Sequence, residues 1–129
     1  MSLKEIFYER FNNTSEEFFK ELTVTYPSIE PFKQLRTGLN LIKNLDHKKP
    51  QKIFNSFVAT KFRDYILNKD EQFFLTTDKI EIMRTDIGKE YWENFISYIR
   101  QIWSTLGTEN KEVIWKYFHV LLVLSDKCN

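Results

Sequence analysis

The side chains that most often do chemistry are scarce in this chain: two histidines, His47 and His119, and a single cysteine, Cys128. Metal sites draw on His, Cys, Asp and Glu at short helical spacing. No His-x-x-His, Glu-x-x-His or Cys-x-x-Cys occurs in the sequence. Glu112 and His119 can share a helix face, but they stand two turns apart and lack a third ligand. Cys128 sits in Asp126-Lys127-Cys128-Asn129, which reads as a frayed tail. A nucleophile needs fixed geometry and a base within reach. Three isolated glycines cannot build a phosphate loop, a dinucleotide fingerprint or a nucleophile elbow. Acid pairs occur at Glu16-Glu17, Asp70-Glu71 and Asp78 with Glu81. Adjacent carboxylates on a helix point about 100° apart and do not share a proton, and the first pair suits a helix N-terminus. His119, beside Phe118 on an apolar stretch, reads as a core-edge histidine whose ring nitrogen meets a carbonyl or a tyrosine hydroxyl. The residues therefore predict no catalytic, metal or cofactor-binding site, no small-molecule substrate and no enzyme.

Charge is distributed unevenly. Between Lys33 and Arg63 lie eight of the 19 basic residues and one of the 18 acids, Asp46, leaving −6 on the remainder. Lys33, Arg36, Asn40 and Lys43 recur at helical spacing. Lys52 and Arg63 are expected on one face with Asn55, Ser56 and Ala59. His47-Lys48-Lys49 would mark the bend between two helices. The candidate surface for an anionic partner is thus Lys33, Arg36, Lys43, Lys48, Lys49, Lys52 and Arg63. One reading gives this ridge a nucleic acid or an acidic protein. The other makes it a solvated face balanced by acids elsewhere in the fold. The net charge of only +1 speaks against a nucleic acid and for a protein partner, with the ridge as an electrostatic guide. So does the lack of aromatic residues among the exposed bases, where a nucleic acid could stack.

The elements that position these residues read as helices throughout. The chain has 129 residues, one domain's worth, with 12 Phe, 6 Tyr and 3 Trp to fill a core. Three Gly and three Pro are too few for a sandwich or barrel with a turn every ten residues or so. The capping pattern Ser2-Leu3-Lys4-Glu5 opens a helix with Leu3, Ile6, Phe7 and Phe11 inward. Asn12-Asn13 is expected to end it, and Thr14-Ser15-Glu16-Glu17 to open a second, with Phe18, Phe19 and Leu22. Ser28 caps the next, with Pro31 in its first turn. Its buried stripe is Ile29, Phe32, Leu35, Leu39, Ile42 and Leu45, and Gly38 suggests close helix approach. Pro50 starts another, with Ile53, Phe54, Phe57, Val58, Tyr65 and Ile66 inward, broken at Asn68-Lys69-Asp70. Phe73 and Phe74 should plug the core, and residues 76–86 read as loop or short helix. Residues 87–106 form the clearest stripe, stopped by a left-handed Gly107. Thr108 caps a last, central helix reaching Ser125. The two helices flanking Gly107 should pack antiparallel. The fold class is all-α: one irregular or orthogonal bundle of about six helices over residues 1–129.

The longest apolar run, Val120 to Leu124, covers about 7.5 Å of helix, so no membrane span is expected. The lone cysteine and the charged start, Met1-Ser2-Leu3-Lys4-Glu5, point to a reducing compartment and no signal peptide.

Phe18-Phe19-Lys20-Glu21-Leu22 is followed by Tyr26-Pro27, then Lys69-Asp70-Glu71-Gln72-Phe73-Phe74, then Ile114-Trp115-Lys116-Tyr117-Phe118 with Leu121, Leu122 and Leu124-Ser125. That order resembles small helical proteins of unknown function encoded by large and giant double-stranded DNA viruses of algae and protists. The resemblance carries no catalytic residues. It implies a viral structural or interaction protein in the host cytoplasm or virion, possessing a protein partner or self-associating. Docking would use helix faces with apolar and aromatic anchors. The alternative is a nucleic-acid-binding protein using the 33–63 hairpin on phosphates.

Overall fold

The computed structural model describes residues 2–72 and 87–129, apart from some side chains within that range. The described residues are all-α. They form α1 (Leu3–Thr25), α2 (Glu30–Leu45), α3 (Lys49–Phe54), a π turn (Asn55–Ala59), α4 (Thr60–Leu67), α5 (Ile87–Trp103) and α6 (Thr108–Cys128). The α3, π-turn and α4 segments join end to end, so five helical rods build the described bundle rather than about six. The expectations for Phe73, Phe74 and residues 76–86 lie outside the described residues.

The helix α1 runs unbroken through Asn12-Asn13, where a stop was expected. An asparagine breaks a helix by bonding its own backbone. Here Asn12 is buried, and its Nδ2 instead donates to the His47 carbonyl across the fold at 2.8 Å. The inward face is Tyr8, Phe11, Asn12, Ser15, Phe18, Phe19 and Leu22. Phe7 is therefore only half-buried, and Leu3, expected inward, is 68% exposed. Half of the capping box forms: the Glu5 amide donates to Ser2 Oγ at 3.2 Å, while the Glu5 carboxylate turns to His47 and Lys48.

The start of α2 is capped by Ile29 rather than Ser28, with no side-chain bond, and has Pro31 in its first turn. Phe32, Leu35, Leu39 and Ile42 are buried as expected, but Leu45 at the end of the helix is exposed. In the next rod the Thr60 amide donates to the Asn55 carbonyl, five residues back, which defines the π turn. The extra residue moves Ala59 from the expected exposed face into the core, and brings Phe62 in beside Ile66. The rod ends in a Schellman motif. Lys69 takes φ 51°, the Asp70 amide donates to the Tyr65 carbonyl at 2.8 Å, and the Lys69 amide to Ile66 at 3.2 Å.

Gly107 does not turn left-handed. It is extended, with φ −73° and ψ 165°, and is itself the N-cap of α6, so Thr108 lies inside the helix. The final helix also runs on to Cys128, which is 3% exposed, so the tail is packed rather than frayed. The longest packing is of α1 along α6, and α6 also meets α3, the π turn and α4, which makes it central. The helices flanking Gly107 meet through large rings in antiparallel order, Trp103 with Trp115 at 5.6 Å and Phe95 with Phe118 at 5.8 Å. Phe18 lies at the centre, stacked on Tyr117 at 4.6 Å and edge-on to Phe95 at 5.5 Å. Each such ring contributes about 1.5–3 kcal/mol through burial.

Candidate functional site

The seven predicted cations do not form one free ridge. On α2, Lys33 pairs with Glu30 at 3.5 Å, while Arg36 and Lys43 both face Glu16 of α1, at 3.7 and 3.9 Å. At the bend, Lys48 meets Glu5 at 3.2 Å and places its ammonium 5.6 Å from the centre of the Tyr8 ring. Arg63 turns to the far end of α6, where its two terminal nitrogens grip Asp126 at 2.8 and 2.6 Å. Lys49 and Lys52 are exposed and have no carboxylate partner among the described residues. Five of the seven are thus answered by acids, four of them by acids of other elements. These pairs are solvent-exposed, so each contributes little to stability. Their effect is to flatten the field of the ridge.

Glu5 is the hub of the bend. His47 Nε2 lies 2.7 Å from Glu5 Oε2, and the bonds from His47 and then Lys48 hold the Glu5 carboxyl below the usual range. Asp46 caps the turn by accepting from the Lys48 amide at 2.9 Å. Beside this hub, a groove of about 530 Å³ is lined by Glu5, Glu9, Asn12, Asn13, Lys43, Asn44 and His47. The carboxylate–imidazole pair could orient a general base, but the lining supplies no hydroxyl or thiol for it to activate.

The second histidine matches its reading: the His119 ring Nε2 meets the Ile66 carbonyl at 2.7 Å. It borders a groove of about 630 Å³ with Val113 and Val120 on its wall and the Lys69–Glu112 ion pair, 2.7 Å, at its rim. Burial pushes the Cys128 thiol up and away from its reactive form. Glu71 accepts from the Trp103 indole at 2.8 Å and from Lys111 at 3.2 Å, so it braces a corner of the fold. Among the described residues no three of His, Cys, Asp and Glu converge as metal ligands, and no helix is long and apolar enough to cross a membrane.

Two features escaped the reading of the sequence. The first is aliphatic exposure. Leu41 and Leu45, one turn apart on α2, are 63% and 82% exposed, and Val123 of α6 is also exposed. Among the described residues every large exposed apolar side chain is a Leu or Val, because the aromatic rings are drawn into or against the core. Leu41 carried a signal, since it falls off the stripe of α2. The second is a cluster of cations and rings. Arg10 of α1 and Lys127 of α6 both lie over the Phe7 ring, at 5.9 and 5.2 Å from its centre. No local signal joins positions so far apart in sequence. No family model, curated protein or solved structure matches the chain.

Proposed function

We propose that this chain is a non-enzymatic interaction protein of a virus, a structural component of the virion or of its assembly in the host cytoplasm, which docks through a helix face. The observation that carries the reading is the pair Leu41 and Leu45. Aliphatic side chains one turn apart on the outer face of a helix are the usual form of a helix-in-groove anchor. Leaving them in water forfeits burial worth about 1.5–3 kcal/mol each. The anchors are aliphatic rather than aromatic, and the cations of α2 flanking them are largely neutralised, so steering by charge is modest. The viral setting rests on the resemblance of the segments described above. The occupant is a protein, either a partner or another copy.

A photo-crosslinking residue at position 41 or 45 tests this, read in purified virions and, for the isolated protein, by sedimentation. The expected result is one dominant crosslinked partner or a self-associated species, lost in the Leu41→Lys/Leu45→Lys double variant. A strictly monomeric protein with no crosslink in virions or infected cells would overturn it.

A further inference from the structure

The start of α1 and the end of α6 bring together cations that no carboxylate pairs with among the described residues. On α1 Phe7 stands three residues from both Lys4 and Arg10, so each cation neighbours its ring, one on either side. Lys127 of α6 reaches the same ring, and Lys4 lies near enough to Cys128 to act on its thiol. Among the described residues none of Lys4, Arg10 and Lys127 has a carboxylate partner. Of the acids at this end, Glu5 is engaged with His47 and Lys48 and Asp126 with Arg63, while Glu9 lines the groove with Asn12 and Asn13. Two cations drawn to one ring concentrate positive charge there, which favours an anion nearby.

Beyond Lys48, which pairs with Glu5 and stands over Tyr8, lie the exposed Lys49 and Lys52, without a carboxylate partner among the described residues. The last turn of α6 bridges the two groups, since Gln51 and Asn55 of the α3 rod bond to Asn129. We propose that this surface binds single-stranded nucleic acid. Arg10, Lys127 and Lys4 would hold phosphates, the exposed part of the half-buried Phe7 ring would meet a base, and Lys49 and Lys52 would extend the track. Cations beside a partly exposed ring suit a single strand, whose unpaired bases can stack while its backbone follows the charge. A duplex keeps its bases inside and would leave the ring unused. This surface is distinct from the α2 face carrying Leu41 and Leu45, and either can fail without the other.

Fluorescence anisotropy with a labelled oligothymidylate of about 20 nucleotides tests it on the whole chain. Binding is expected at about 50 mM salt, weakening steeply as salt rises. Arg10→Gln/Lys127→Gln, both exposed, should weaken it about tenfold or more and lower the log–log salt slope by about 1.4, two contacts' worth. Lys33→Gln/Arg36→Gln should change it less than about twofold, because those cations are already paired. Phe7→Leu should weaken it about fivefold and Phe7→Tyr should restore it, which separates stacking from loss of fold. The proposal is overturned by the absence of oligonucleotide binding at low salt. It is equally overturned by binding that survives Arg10→Gln/Lys127→Gln. Capture by anionic phosphatidylserine vesicles or an acidic peptide, without oligonucleotide binding, also overturns it.

Discussion

The cations of α2 and those at the junction of α1 and α6 stand in opposite situations. The first group lies in the part of the sequence richest in positive charge, yet Glu16 answers Arg36 and Lys43, and Glu30 answers Lys33. The second lies in the part of the chain that is acidic on balance, yet Lys4, Arg10 and Lys127 meet no carboxylate among the described residues. Charge along a chain and charge over a surface therefore differ. Pairing is decided by which helices lie side by side: on α1, Glu16 turns to α2 and Glu21 accepts from Tyr117 of α6, and neither meets the cations at the junction.

The contrast can be broken or sharpened by substitution. The largest expected effect on stability comes from Gln51, which is buried and donates to the Ser125 carbonyl and Oγ at 3.2 and 3.0 Å and to Asn129 at 3.2 Å. Gln51→Leu keeps the bulk and deletes these bonds, so it should cost about 1–3 kcal/mol by urea denaturation. It should also loosen the last turn that carries Lys127. An unchanged midpoint would show that the end of α6 is held by packing alone.

Asn12→Ala comes next. It strands the His47 carbonyl but also removes an Asn12 Oδ1 that is buried without a partner, so the net loss should be about 1 kcal/mol. The measurement is again the denaturation midpoint, with the bend cations Lys48 and Lys49 expected to lose their fixed position.

Asp126→Asn should cost no more than about 0.5 kcal/mol at neutral pH, because both partners of the Arg63 pair are about two-fifths exposed. Its pH signature is clearer. The bonds from Arg63 lower the Asp126 carboxyl below its ordinary value, so folding favours the ionised form. That contribution is complete above the ordinary carboxylate range, near pH 4, and is lost as pH falls through the lowered value. The acid limb of a stability–pH profile should therefore be shallower in the variant.

Glu16→Gln has the smallest effect on stability, within about 0.5 kcal/mol. It should nevertheless free Arg36 and Lys43 and raise oligonucleotide affinity about threefold at low salt. If it does nothing, the α2 cations are silent for reasons other than pairing.

Much of the fold was legible because apolar periodicity is local. The stripes of α2 and of the helix before Gly107 needed only their own residues. What misled were residues whose behaviour is settled by distant partners. Asn12 resembled a terminator until its amide found the His47 carbonyl. Gly107 resembled a stop but serves as the next cap. Cys128 resembled a tail, yet the helix turn around it is tied down through Asn129 and Asp126. The candidate surface was legible only as composition. Its seven members were identifiable in the sequence, but not the acids that meet five of them, nor the meeting of Phe7 with Lys127.

The π turn has a consequence for how this protein tolerates insertion and deletion. Asn55 and Arg63 both reach the final turn of α6, through Asn129 and Asp126. Eight residues apart on a regular α-helix they would diverge by about 80°, whereas seven residues apart they would fall within about 20° of one line. The π turn absorbs the extra residue and lets eight positions act as seven. Deleting one residue within Asn55–Ala59 would give a regular ladder without separating the two contacts. Deleting one beyond the turn, between Thr60 and Arg63, would swing Arg63 away by about a quarter-turn. Length variation in this rod is thus cheap inside the turn and costly just after it.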